Sequence, residues 1–279
     1  MEKPNYFNPS LSQRTFIQYQ SNLHRLEGLL EKNVADASQD MIIETLKGWI
    51  SNPNSMASLL NIAIIVFRWH EKNVDKLIKF RDVLKTEIKS LRLEENKTLK
   101  DTLPTYEEID TWIKGLVNRE QYKAYIINYL TFYLSTRNED IYIKFVKTKK
   151  EASKDLTMNY LIVQPKKVIY VRNVYKTAVH YGQKIDVITD KDFRKSILKL
   201  RNRQDYLIEN KHKNPVPPVS IGSYVMGNTY KNIGESKYLK VRIANAQTEP
   251  DTFSLVKQIS HDRGTDLHVL LSAYNISDK

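Results

Sequence analysis

The sequence predicts a mainly α-helical protein with one small antiparallel β-sheet, arranged as two domains. Three observations carry this. Apolar residues recur at helical spacing from about residue 10 to residue 95, with no β-rich run between. A highly charged stretch, Arg92–Thr102, then leads into Leu103-Pro104-Thr105, a change of composition that reads as a linker (96–104) and a new start. Beyond it, Val-, Ile- and Tyr-rich segments lie close together between Tyr160 and Ile188 inside an otherwise helical pattern. A chain of 279 residues accommodates two domains of ordinary size, here 1–95 and 105–279, and 41% hydrophobic residues suffice for their cores.

The elements follow in order. Ser10 or Ser12 caps a first helix with Phe16, Leu23, Leu26 and Leu30 on one side. Asp40–Ile50 gives a second, and the turn Ser51-Asn52-Pro53-Asn54 starts a third that ends near Glu71. Its apolar stretch, Met56–Trp69, is interrupted by Ser58, Asn61 and Arg68, so it reads as a buried helix and not as a membrane span. A fourth runs from Val74 to Leu93, completing a four-helix unit. Thr105 with Glu107 and Glu108 opens a helix at 105–117, since acidic groups favour the positive end of the helix dipole. Another follows at 119–134. Tyr160–Val163, Lys167–Val174 and Lys184–Ile188 are the strands, with turns at Pro165 and around Gly182. Helices resume at 191–209, 223–231, 237–247, 252–260 and 266–274.

The formal charge of +12 favours a polyanionic partner, because each Lys or Arg set on a phosphate releases counterions. Double-stranded DNA is the first candidate and a membrane is not expected. There is no cysteine, which excludes disulfides, thiol catalysis and Cys-ligated zinc and fits a reducing, intracellular setting. The N-terminus carries no signal-peptide apolar region. The six histidines are scattered, with no carboxylates at ligand spacing beside them, so neither a metal nor a cofactor is expected.

The chemistry sits in the second half. Arg137, Lys176, Arg242 and His261 precede Tyr274. Fixed guanidiniums stabilise the charge that builds on phosphate oxygens, and a tyrosine can attack phosphorus in line. Each residue also has a plain structural reading. Arg137 could be a helix-end residue paired with Asp140, Lys176 part of a solvated hairpin, Arg242 a backbone-phosphate contact, and His261 a capping or core histidine. Tyr274 is one of 17 tyrosines.

In that order, the motifs resemble those of the tyrosine recombinases, the family of phage integrases. Leu-Pro-Thr-Tyr-Glu-Glu-Ile (103–109) resembles the opening of their catalytic domain, and Tyr-Leu-Ser-Thr-Arg-Asn-Glu-Asp-Ile (133–141) their first arginine box, with Asp140 as its helper acid. Val-Tyr-Lys-Thr (174–177) lies between β-runs, where the family keeps a lysine. Lys-Val-Arg-Ile-Ala-Asn (240–245) resembles the second arginine box, and Ser-His-Asp-Arg-Gly-Thr (260–265) the histidine motif. Residues 1–95 are similar only in character to the family's helical core-binding domain. Two features depart from the pattern. Leu239 stands where a His or Lys is usual, leaving Lys240 as a possible phosphate contact, and His261 lies farther from Tyr274 than is usual, with His268 as a possible substitute.

The resemblance implies a site-specific recombinase that cleaves and rejoins DNA through a 3′-phosphotyrosyl intermediate, without metal or ATP, as a dimer or tetramer on DNA. A viral or mobile-element origin fits family habit. Both domains would clamp the duplex, with Lys147, Lys149, Lys150, Arg194, Lys195, Lys199, Arg201 and Arg203 on its phosphates. Two readings stay open beside it: a non-catalytic DNA-binding or architectural protein that keeps the fold, and a topoisomerase IB-like enzyme.

Overall fold

Asn52 and Ser38 show how local chemistry starts the first helices. In the computed structural model, which describes residues 6–9, 11, 13–274 and 276, the Ser38 hydroxyl accepts a hydrogen bond from the Met41 amide and opens α2 (Gln39–Trp49). The Asn52 side chain does the same for the Ser55 amide at α3 (Pro53–Trp69), where Pro53 occupies the first turn. Ser10 and Ser12, the expected caps of α1 (Gln13–Leu30), lie outside the described residues. Leu26, Ile42, Leu46, Leu60, Ile62 and Leu77 are fully buried together, so α3 is a core helix.

α4 (Asp75–Thr102) runs about nine residues past the expected end of the fourth helix and takes in most of the 96–104 segment read as a linker. The reason is propensity. The extension, 94–102, holds two Glu, two Lys and a Leu, all good helix formers, and neither Gly nor Pro, so charge alone does not stop the helix. Pro104 does, and the division of the chain into two compact units falls inside α4, between Glu95 and Asn96.

The second unit begins as its cap dictates. Thr105 accepts from the Glu108 amide and the Glu108 carboxylate accepts from the Thr105 amide, a closed capping box for α5 (Tyr106–Asn118). α6 (Tyr122–Asn128) ends in a π-helical turn, Tyr129–Tyr133. The sheet has four strands in sequential order: β1 (Ile143–Val146), β2 (Asn159–Val163), β3 (Val168–Arg172) and β4 (Lys184–Ile188). β2, β3 and β4 pair antiparallel as expected, but β1 pairs parallel to β2, so the sheet is mixed. β1 has four residues, too few for a legible period, and reaches β2 through the short helix α7 (Lys149–Ala152). A second short helix, α8 (Ala178–Tyr181), lies between β3 and β4.

Among the described residues, five α-helices follow: α9 (Lys191–Arg201), α10 (Pro218–Met226), α11 (Glu235–Ala246), α12 (Thr252–Arg263) and α13 (Leu267–Tyr274). α10 starts five residues earlier than expected because Pro218, read as a loop residue, is suited to a first helical turn. Ile126, Leu130, Leu161, Tyr170, Phe193, Ile197 and Tyr238 form the core between the helices and the sheet. No helix among the described residues is long and apolar enough to cross a membrane.

Candidate active site

The last turn of α12 is where the sequence motifs meet. A helix leaves its final carbonyls without partners and carries partial negative charge at that end. Here four successive carbonyls are taken by side chains from other elements. His261 O accepts from the Lys184 ammonium, and Asp262 O from Arg172 Nη1 at 2.6 Å. Arg263 O accepts from Arg137 Nη1 at 2.7 Å, and Gly264 O from the Thr177 hydroxyl at 2.8 Å. Three of the four donors are cations, as the dipole favours. Gly264 closes the helix at φ +61°, and a Cβ there would lie 2.8 Å from Thr177 Oγ1 and 3.2 Å from Lys184 Nζ. Only glycine lets this turn close on β3 and β4.

Ser135 is the second junction. It is buried at φ +50°, a left-handed conformation that a serine adopts only when its surroundings hold it there. Its hydroxyl accepts from Arg242 Nη1 at 2.6 Å and its carbonyl from Arg263 Nη1 at 3.2 Å. Arg137, two residues on, adds a bond from Nη2 to Thr265 Oγ1 at 2.7 Å. Arg137, Arg242 and Arg263 therefore share one small network built from the first arginine box, α11 and the end of α12.

The arginines differ in charge balance. Arg263 is buried and its Nη2 meets Glu235 Oε1 at 2.9 Å. Arg172, fully buried, meets Asp186 Oδ2 at 2.8 Å and lies 3.9 Å from Asp140. Arg137 and Arg242 are half-buried, and among the described residues neither forms an ion pair with a carboxylate. Burial lowers the pKa of both, and for Arg137 the neighbouring Arg263 charge adds to it. Two of the five N–H donors of Arg137 and one of those of Arg242 are engaged here.

Asp140 supports this set. It is buried, accepts from the Arg137 amide at 3.1 Å, and is pushed up by burial to about 6. Its Oδ1 has no hydrogen-bond partner. Lys184 is shifted downward by burial and then by Arg172. Tyr274 ends α13, half-buried against the cluster of Leu239, Ile243, Val256 and Leu270, with its ring centroid 5.4 Å from the Arg263 guanidinium carbon.

Other expected residues stand apart. The His261 side chain is 71% exposed and only its backbone joins the network. Its imidazole lies 3.8 Å from Asp262. His268 is exposed near the start of α13. Lys176 is exposed in the β3–β4 connection, beside Thr177, which anchors that connection to Gly264. Lys240 points to another partner. It is buried, and its ammonium donates to Asn96 Oδ1 at 2.7 Å, because α11 turns positions 240 and 242 to different sides. Leu239 is core.

Of the basic residues, Lys147, Lys149, Lys150, Lys195, Lys199 and Arg203 are exposed, whereas Arg194 and Arg201 are half-buried. Arg194 Nε donates to Gln164 O at 2.8 Å. Lys147 and Arg201 line one cleft with Lys144 and Lys154. Sequence reasoning passed over Arg172, Lys184, Arg263, Ser135 and Glu235. No group of His, Asp or Glu among the described residues is placed to hold a metal ion.

No family model and no curated protein matches this sequence. Among the solved structures that match, one described as a crystal structure of XerA recombinase is similar over 96% of this chain and 89% of that one. The TM-score is 0.40 and the identity 14%. A likeness this loose carries no argument about chemistry.

Proposed function

We propose that this chain is a DNA strand transferase of the tyrosine-recombinase type. The observation that supports it is the pair Arg137 and Arg242. Two half-buried guanidiniums with spare donors and no ion-paired carboxylate among the described residues suit an anion, and a phosphodiester fits them. In this reading Tyr274 Oη attacks phosphorus and gives its proton to water. The bond to the 5′-oxygen breaks, Lys176 gives that oxygen a proton, and a 3′-phosphotyrosyl link remains. Arg137 and Arg242 hold the non-bridging oxygens and Asp140 fixes the Arg137 backbone. Rejoining reverses the step with a second 5′-hydroxyl, so neither metal nor ATP is consumed. The exposed lysines of α7 and α9 track the duplex backbone, and copies of the chain assemble on DNA for strand exchange.

A second reading is favoured by one observation. With His261 in solvent, Lys240 on Asn96 and Leu239 in the core, the second arginine box offers fewer groups than the resemblance implies. A DNA-binding protein that keeps the fold without cleavage would look like this. A nicked suicide duplex separates the two. Covalent adducts that vanish in Tyr274→Phe, with binding retained, support transfer. Salt-sensitive binding without adducts at any duplex tested supports the second reading.

A further inference from the structure

Arg172 has no part in the chemistry just described, yet it is the largest fully buried side chain described. A buried guanidinium is costly unless its charge is paired and its donors are engaged, and here Nη2 is ion-paired to Asp186 at 2.8 Å without a hydrogen bond. Arg172 meets three elements at once. Nε donates to Asp186 Oδ2 on β4 at 3.0 Å, Nη1 donates to Asp262 O at 2.6 Å, and Nη1 lies 3.9 Å from Asp140 Oδ2. Its guanidinium carbon stands 5.5 Å from the Tyr170 ring centroid and 5.9 Å from that of Tyr175. Asp140 fixes the backbone of Arg137, and Asp262 and Arg263 belong to the turn that receives Arg137.

We propose that Arg172 is a positioning residue: it holds the last turn of α12 against the first arginine box and so fixes the Arg137 guanidinium, which that turn receives, relative to Arg242. This rests on the functional reading above. The planar fork matters as well as the charge, since a lysine ammonium cannot meet β4, the α12 carbonyl and Asp140 together. A displacement of about 1 Å at a reacting centre lowers rates by about 10²-fold.

The test uses the full chain. Arg172→Lys keeps the charge, and Asp186→Asn keeps the guanidinium but removes its β4 partner, covering the case in which the first variant does not fold. Single-turnover adduct formation and duplex affinity are measured for both. The account expects adduct formation to fall about 10²-fold in Arg172→Lys and less in Asp186→Asn, while duplex affinity stays within about threefold, since the exposed lysines that supply it are untouched. Wild-type rates in both folded variants, or rates and affinity falling in parallel, overturn the proposal.

Protection by inorganic phosphate, read as a rise in unfolding temperature, separates this outcome from failure of the functional reading. If the wild type forms no adducts but is protected, and Arg172→Lys or Asp186→Asn loses the protection, the functional reading fails and the positioning role stands. Where the wild type forms no adducts, equal protection in wild type and both variants overturns the role, as does a wild type that phosphate does not protect.

Discussion

Four arginines surround the end of α12, and they divide into two kinds. Arg172 and Arg263 are sealed from solvent and neutralised, by Asp186 and by Glu235. Arg137 and Arg242 are half-buried, form no ion pair among the described residues, and are held by neutral oxygens: Arg263 O and Thr265 Oγ1 for one, Ser135 Oγ for the other. A neutralised buried arginine is a structural tie. One whose burial outweighs the carboxylates around it is unfavourable until an anion arrives, and that is the pattern of a binding group. The comparison predicts opposite behaviour for the two kinds.

The largest effect should come from breaking a neutralised pair. Arg263→Met leaves Glu235 without its cation and the Ser135 carbonyl without its donor, and should destabilise the second unit by about 3–5 kcal/mol. Chemical denaturation measures this, and a loss below about 1 kcal/mol would put Arg263 in the other class. Arg137→Gln and Arg242→Gln should leave stability unchanged or raise it, because each removes a charge whose burial is unfavourable. Each should slow adduct formation by about 10²–10³-fold, and a fall in stability matching that of Arg263→Met would erase the distinction.

A smaller effect tests the joint between the two kinds. Gly264→Ala places a Cβ 2.8 Å from Thr177 Oγ1 at positive φ, and should destabilise by at least about 1–2 kcal/mol. The readout is the unfolding midpoint.

The smallest effect is a pH dependence. Asp140 is raised to about 6 in the folded chain, so the folded state holds its proton where the unfolded state has released it. Its contribution to stability is complete below about pH 4 and is lost as pH rises through about 6. Asp140→Asn should flatten the stability curve across that window, and an unchanged slope would place the titration elsewhere.

Much of the fold was legible because the signals were local. Thr105 with Glu108, and Asn52 with Pro53, announce helix starts within four residues. β1 was not legible, since four residues gain their identity only from β2 beside them. α4 ran through its charged end because charge patterning does not report helix propensity. In the site, Arg137, Arg242 and Tyr274 stood out through order along the chain. Arg263 lies within the quoted segment Ser-His-Asp-Arg-Gly-Thr, but the histidine drew the attention there and proves exposed. Arg172 looks like one more basic residue at a strand end. Only the pairing of β3 with β4 and the docking of α12 bury it.

The central claim is that Arg242 and Arg137 meet the charge of a scissile phosphate. Cleavage of a duplex whose scissile linkage is a neutral methylphosphonate tests it most directly, because the charged oxygen is removed from the substrate instead of the arginine from the protein. The penalty of Arg242→Gln, about 10² or more on the phosphodiester, should shrink below about tenfold on the methylphosphonate, since the charge it serves is gone. Equal penalties on the two linkages would contradict the account and make Arg242 a structural tie like Arg172 and Arg263.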